Sequence, residues 1–157
     1  MEENGWKERE MARIYDVAEW FQQKEPMSHK RIQKLCYYAQ AWSCALLDKK
    51  LDPEAEFQAW IHGPVCRDLY EKYKGHGWNN IEPENKALVF SASEKDLLES
   101  VWLTYKDLSA NELEVLSHSE KPWKEARRDC DPDERCEQDI SFESMRDYYR
   151  SIYIGDC

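Results

Sequence analysis

The sequence predicts a mainly α, single compact domain of about six or seven helices around a central helix at 28–47, with a minor two-strand β element. Three observations lead there. Apolar residues recur at three- and four-residue spacing through most of the chain, and in 28–42 they cover more than half the helix they imply, which must then be packed on several sides. Helix-start residues precede these stretches, at Ser28, Ser93, Ser109 and Ser141. Strict alternation, the mark of a half-buried strand, is confined to 55–61.

Residues 1–9 read as a flexible polar N-terminus and 10–157 as one domain. A first helix places Met11, Ile14, Tyr15, Ala18 and Phe21 on one face and Arg13, Asp16, Glu19 and Gln22 opposite, and ends before Pro26. The central helix follows behind Ser28, with Ile32, Leu35, Cys36, Ala39 and Trp42 on one stripe and Tyr37, Tyr38 and Ala41 on a second. Phe57, Ala59 and Ile61 alternate with polar or amphipathic neighbours as a strand that stops at Gly63. Pro64 then starts a helix carrying Val65, Leu69 and Tyr73, closed by a mobile loop at Gly75, His76 and Gly77. A short second strand is expected at 87–90. Ser93 with Asp96, and Ser109 with Glu112, have capping-box spacing ahead of two amphipathic helices. The first carries Leu97, Leu98, Val101, Trp102, Tyr105 and Leu108, and the second Leu113 and Leu116. Ser119 and Pro122 begin a short helix, residues 129–139 read as an acidic solvated loop, and a last helix buries Phe142, Met145, Tyr149 and Ile152.

Charge narrows the function. With 22 basic and 32 acidic residues the net charge is −10, which repels phosphate backbones and anionic membranes and suits a basic protein partner. Nucleic-acid binding is therefore disfavoured. Seven Trp, nine Tyr and four Phe supply the core that a 41% apolar share would otherwise leave thin, since each buried ring hides about 150–250 Å². No leader-like or membrane-length apolar run stands out, so a cytoplasmic protein is expected, with Cys36, Cys44, Cys66, Cys130, Cys136 and Cys157 as free thiols.

Catalytic readings were set against plainer ones. Cys130 and Cys136 are spaced too far apart for a zinc knuckle, and only folding could bring His118 or Cys157 to them, so two thiols in a loop is the plainer reading and neither metal nor other cofactor is expected. Cys66 near His62 and a helix start could be an activated nucleophile, but two neighbours in a turn without an oxyanion loop are more simply a thiol in a turn. His118 beside Glu120, and His29, read as polar caps. Trp60 and Trp123, each at a crowded turn, read as core, with His62, Lys121 and Arg127 as candidate rim contacts.

Three ordered blocks carry a resemblance. Ile32-Gln33-Lys34-Leu35-Cys36-Tyr37-Tyr38-Ala39-Gln40-Ala41-Trp42 comes first, followed by Phe57-Gln58-Ala59-Trp60-Ile61-His62-Gly63-Pro64-Val65 with Leu69, Tyr70 and Tyr73 behind it. Leu116-Ser117-His118-Ser119-Glu120-Lys121-Pro122-Trp123 with Ala126 and Arg127 completes the set. Together they resemble the Panacea-domain family, also called SocA-like antitoxins or phage-associated proteins, over residues 11–150. Ile140, Met145, Tyr148 and Tyr149 also fit, while the acidic insert at 129–139 and Cys157 depart from it. The resemblance implies a helical bacterial or prophage antitoxin that neutralises a cognate toxin, often one that blocks translation, by direct contact and without catalytic residues. An adaptor that delivers a partner to a cytosolic protease is the alternative of the same class, and a small Cys/His- or metal-dependent enzyme the alternative of another.

On this reading Leu35, Tyr37, Tyr38, Ala39, Gln40, Trp42, Phe57, Trp60, Gly63, Pro64, Val65, His118, Glu120, Pro122, Trp123 and Arg127 are motif and scaffold. Lys30, Arg31, Lys34, His62, Lys121 and Arg127 are the candidate partner contacts, with Gln40 on the same less apolar side of the central helix.

Overall fold

The computed structural model describes residues 12–154. The expected flexible start, Met11 and Cys157 lie outside the described residues. Seven α-helices and two two-stranded sheets are found among them: α1 (Arg13–Gln22), β1 (Met27–Ser28), α2 (His29–Leu46), β2 (Phe57–Trp60), β3 (Gly63–Cys66), α3 (Arg67–Tyr73), β4 (Asn80–Ile81), α4 (Ala92–Tyr105), α5 (Ala110–Ser119), α6 (Lys121–Ala126) and α7 (Phe142–Ile152). A 3-10 turn, Lys74–His76, extends α3.

α2 is the axis of the domain. Ser28 caps it by accepting the Arg31 N–H at 3.3 Å, and α1, α3, α4, α5, α7 and β3 all pack against it. Thirteen of its residues are buried, from Ile32 to Ala45, which is why its apolar pattern exceeds one stripe. Two of those buried residues are glutamines seven positions apart, hence on one face. The Gln33 side-chain amide accepts from the Cys66 N–H at 2.9 Å and donates to the Cys66 carbonyl at 3.2 Å, while Gln40 makes the same two-way pairing with Asp52, at 3.1 and 2.9 Å. Gln40, expected to face a partner, is thus an internal strut that fixes the loop after α2. That loop serves α1 in turn, because Asp52 Oδ2 accepts the Ile14 N–H at 2.9 Å where Ala12 offers no cap.

Several expectations are corrected. Glu19 and Gln22 are buried rather than opposite the core: Glu19 accepts the Glu84 and Asn85 N–H groups at 3.1 and 2.7 Å, and Gln22 accepts the Tyr73 hydroxyl at 3.1 Å. Residues 63–66 form a strand and not the start of a helix. Pro64 sits opposite Ala59 in a hairpin whose register also pairs Trp60 with Gly63 and Phe57 with Cys66, and α3 begins only at Arg67. The strand expected at 87–90 is absent. Phe90 is buried beneath Arg13, Leu88 packs half-buried on the core, Val89 is exposed, and the second sheet instead pairs Met27 with Ile81.

Ser91 with Glu94, two residues before the expected pair, closes the capping box of α4, because Glu94 is also held there by Arg13 at 2.6 Å and Lys49 at 3.2 Å. Ser109 and Glu112 form the expected box, and Ser141 the expected cap. Glu120, not Ser119, occupies the cap position of α6.

The acidic loop is not a pair of free thiols. Cys130 and Cys136 are joined in a disulfide, with Cα atoms 5.9 Å apart, whereas Cys36, Cys44 and Cys66 are free and buried. The Arg127 guanidinium, itself buried, donates into that loop to the Asp131 and Glu134 carbonyls at 2.8 and 2.7 Å, and to the Ala59 carbonyl of β2 at 2.7 Å. Beyond the loop, residues 138–140 run along β2, with the Ala59 N–H donating to Gln138 O at 3.0 Å and the Ile140 N–H to Phe57 O at 2.7 Å.

Candidate partner-binding cleft

The motif residues first account for the interior. Tyr38 and Tyr149 both donate to Glu120 Oε1, at 2.9 and 2.7 Å, and the Tyr37 and Tyr149 hydroxyls lie 3.2 Å apart. Tyr38 stacks on Tyr105 at 4.2 Å, and Trp42 donates to the Tyr105 hydroxyl at 2.8 Å. One carboxylate therefore ties α2 to α7 and to the entry of α6. Burial pushes the Glu120 carboxyl above its ordinary value, against the two tyrosine hydrogen bonds that favour its charge. Leu35, Ala39 and Phe57 are fully buried beside this network.

The last block holds the hairpin. Trp123 donates to the Trp60 carbonyl at 2.8 Å and stacks on His118 at 4.1 Å, and Pro122 is buried at the first turn of α6. Arg127 is a structural pin of the same hairpin, not an exposed contact. Lys121 is exposed nearby.

What the hairpin and α2 enclose is a cleft of about 400 Å³. Trp60, Val65, Tyr70 and Trp78 give it apolar walls, and His29, Lys30, Gln33, Lys34 and His62 give it polar edges. Trp60 and Tyr70 meet edge to face at 5.0 Å, and the Arg135 guanidinium lies 3.5 Å over Trp60, so the disulfide loop braces this wall from behind. Trp78 stands at the rim with 85% of its surface exposed.

Lys34 is 2% exposed and, among the described residues, donates one hydrogen bond, to the Pro64 carbonyl at 3.3 Å. Burial, and then the charge of Lys30, pushes its amine down to about 7, with Glu114 pulling the other way. Lys30 is held by Glu114 at 2.5 Å and by Asn111 at 2.6 Å. Glu114 also meets His62 at 3.1 Å. Burial, with Lys34 and His76, lowers His29 to about 4. Glycine is required at position 63, where φ is +109° and a Cβ would come within 2.7 Å of the Lys34 side chain.

Of the candidate contacts, Lys30, Lys34 and His62 come together here, while Arg31, Lys121 and Arg127 do not. Arg31 donates to Glu25 at 2.5 Å and to the Lys106 carbonyl at 2.7 Å, beside Trp102. Sequence reasoning missed His29, Gln33, Tyr70 and Trp78 as cleft residues. The available signal was Trp78, a large aromatic in a stretch of Gly and polar residues with nothing of its own to pack on. Cys66 is buried, and burial pushes its thiol up to about 12, which disfavours the nucleophile reading. Among the described residues no group of three or more His, Cys, Asp or Glu is arranged to hold a metal ion, and no helix is long and apolar enough to cross a membrane.

Residues 32–124, more than half the chain, match the family described as "Antitoxin SocA-like, Panacea domain". The chain belongs to this family. The matched span of this Panacea-domain protein runs from the buried face of α2 through the hairpin into α6, so it contains most of the cleft, with His29 and Lys30 just before it, and the Glu120 and Trp123 part of the scaffold. No curated protein and no solved structure matches it significantly. Family membership gives an antitoxin-like protein with a protein partner and suggests a non-enzymatic role.

Proposed function

We propose that this protein is an antitoxin that neutralises a separately encoded toxin by holding it, with the cleft beneath Trp78 as the central contact. The observation that carries the reading is that tryptophan. It is exposed at the edge of an aromatic-walled depression inside the matched span, and tryptophan bordering a pocket is the residue type that dominates protein-binding energy. The net charge of −10 would speed encounter with a basic toxin, of the kind that acts on RNA or the ribosome. Co-expression with the adjacent gene tests it. The reading requires that gene to arrest growth alone and to be harmless with this protein. A neighbour that is harmless alone, or toxic despite this protein, contradicts it.

A further inference from the structure

The acidic chain withholds acid from one place. Of 32 Asp and Glu residues in the sequence, none is among the described residues that line the cleft, where two lysines and two histidines stand against four apolar walls. Glu114, which pairs with Lys30 and His62 at the cleft's edge, is already engaged by them and does not line the cleft. At its edge Lys34 holds a buried amine with one long carbonyl bond among the described residues, which leave the rest of its donor capacity unused.

A buried ammonium so poorly partnered is costly, and a carboxylate brought to it would convert that cost into a charge-assisted hydrogen bond. We propose that the cleft receives a carboxylate-bearing aromatic segment of the protein partner, its carboxylate meeting Nζ of Lys34 and its ring packing on Trp60 and Trp78. This rests on the antitoxin reading for the identity of the partner, but not for the chemistry of the cleft. Steering and local fit then have opposite signs: the overall negative charge draws in a basic protein, and the cleft selects an acidic point on it.

The same geometry couples binding to a proton. Lys34 feels His29 and Lys30 from its own helix and Glu114 and His118 from α5, while His62 of the hairpin turn lines the same cleft. Its depressed value means that the free protein is partly neutral there near pH 7, and an arriving carboxylate favours the charged amine. Binding therefore takes up a proton and weakens as pH rises through about 7.

The experiment compares N-acetyl-L-tryptophan with its neutral amide by NMR titration at about pH 6 and about pH 8, either side of the Lys34 value. At the lower pH the acid binds roughly ten-fold more tightly than the amide, the preference shrinks at the higher pH, and Lys34→Met abolishes it. In the unsubstituted protein the Nζ resonance of Lys34 titrates at higher pH with the acid bound and is unmoved by the amide, a readout that needs no variant. Equal affinity for acid and amide, no saturable binding of the acid, or a preference that survives Lys34→Met each overturns the proposal. The two readings separate on the adjacent gene product. Neutralisation that persists undiminished in a folded Lys34→Met variant sinks this inference and leaves the antitoxin reading standing. A discriminating cleft in a protein that neutralises nothing does the reverse, upholding the cleft's chemistry alone.

Discussion

A Cβ on Gly63 would stand 2.7 Å from Cε of Lys34, so the glycine of the hairpin and the buried lysine of the central helix fit only as a pair. The second motif block is thereby locked to the first at the mouth of the cleft. The motif residues determine where the cleft lies, while residues outside the scaffold, above all Trp78, give it something to touch.

Gly63→Ala tests that lock. It forces alanine into φ +109° and drives its methyl into the lysine stem, at a cost of about 2–3 kcal/mol in urea unfolding. Adding Lys34→Ala removes the overlap but not the backbone strain, so the two substitutions should couple rather than add. Strict additivity would show that the contact carries no weight.

Lys34 also sets a pH dependence. Its folded value, about 7, lies below the unfolded one near 10.5, so between them the unfolded state binds more protons and stability rises with pH. The slope contributed by this one group approaches about 1.4 kcal/mol per pH unit between about pH 7 and about pH 10. Lys34→Met should flatten that limb and be the more stable protein at neutral pH, measured by denaturation across the range.

Glu120 acts with the opposite sign at acid pH. Burial raises its folded value above 4.5, so the stability it contributes is fully present below that value and is lost as pH rises through the folded one. Glu120→Gln keeps an acceptor for Tyr38 and Tyr149 and should cost under about 1 kcal/mol while erasing this dependence. Glu120→Ala removes the acceptor of both hydroxyls, leaving Tyr149 only its contact with the Tyr37 hydroxyl, and should cost about 2–4 kcal/mol. Similar losses for the two variants would contradict the network.

The disulfide loop is a brace for the hairpin. Reducing Cys130–Cys136 should lower stability by about 2 kcal/mol on the chain-entropy view of so short a loop. Arg127→Gln should cost about 3 kcal/mol, since the Ala59, Asp131 and Glu134 carbonyls lose a charged donor. Chemical-shift changes at Trp60, through Arg135, should accompany reduction.

The sequence carried the helices whose signals are local. Ser28, Ser109 with Glu112, and Ser141 each sit next to the pattern they cap. It misplaced features set by distant partners. Ser91 prevails over Ser93 because Glu94 meets Arg13 and Lys49, and Pro64 pairs in a hairpin because Trp60 and Gly63 close a two-residue turn. Lys30, Lys34 and His62 stood out in the sequence only as candidate partner contacts, and the fold gathers them at one cleft; the burial of Lys34 and Gln40 was not legible, because hydrophobic periodicity assigns every charged or amide residue to the outside. The bond between Cys130 and Cys136 depends on an approach to 5.9 Å that spacing alone does not reveal.

Trp78 is the residue on which partner binding at the cleft most directly depends. Its side chain is exposed, so Trp78→Ala should leave unfolding stability within about 0.5 kcal/mol. The affinity of the purified variant for the product of the adjacent gene is the measurement to make. A loss of roughly thirty-fold or more, the mark of an interface hot spot, is the predicted result; unchanged affinity in a fully folded Trp78→Ala protein would contradict the claim that this cleft holds the partner.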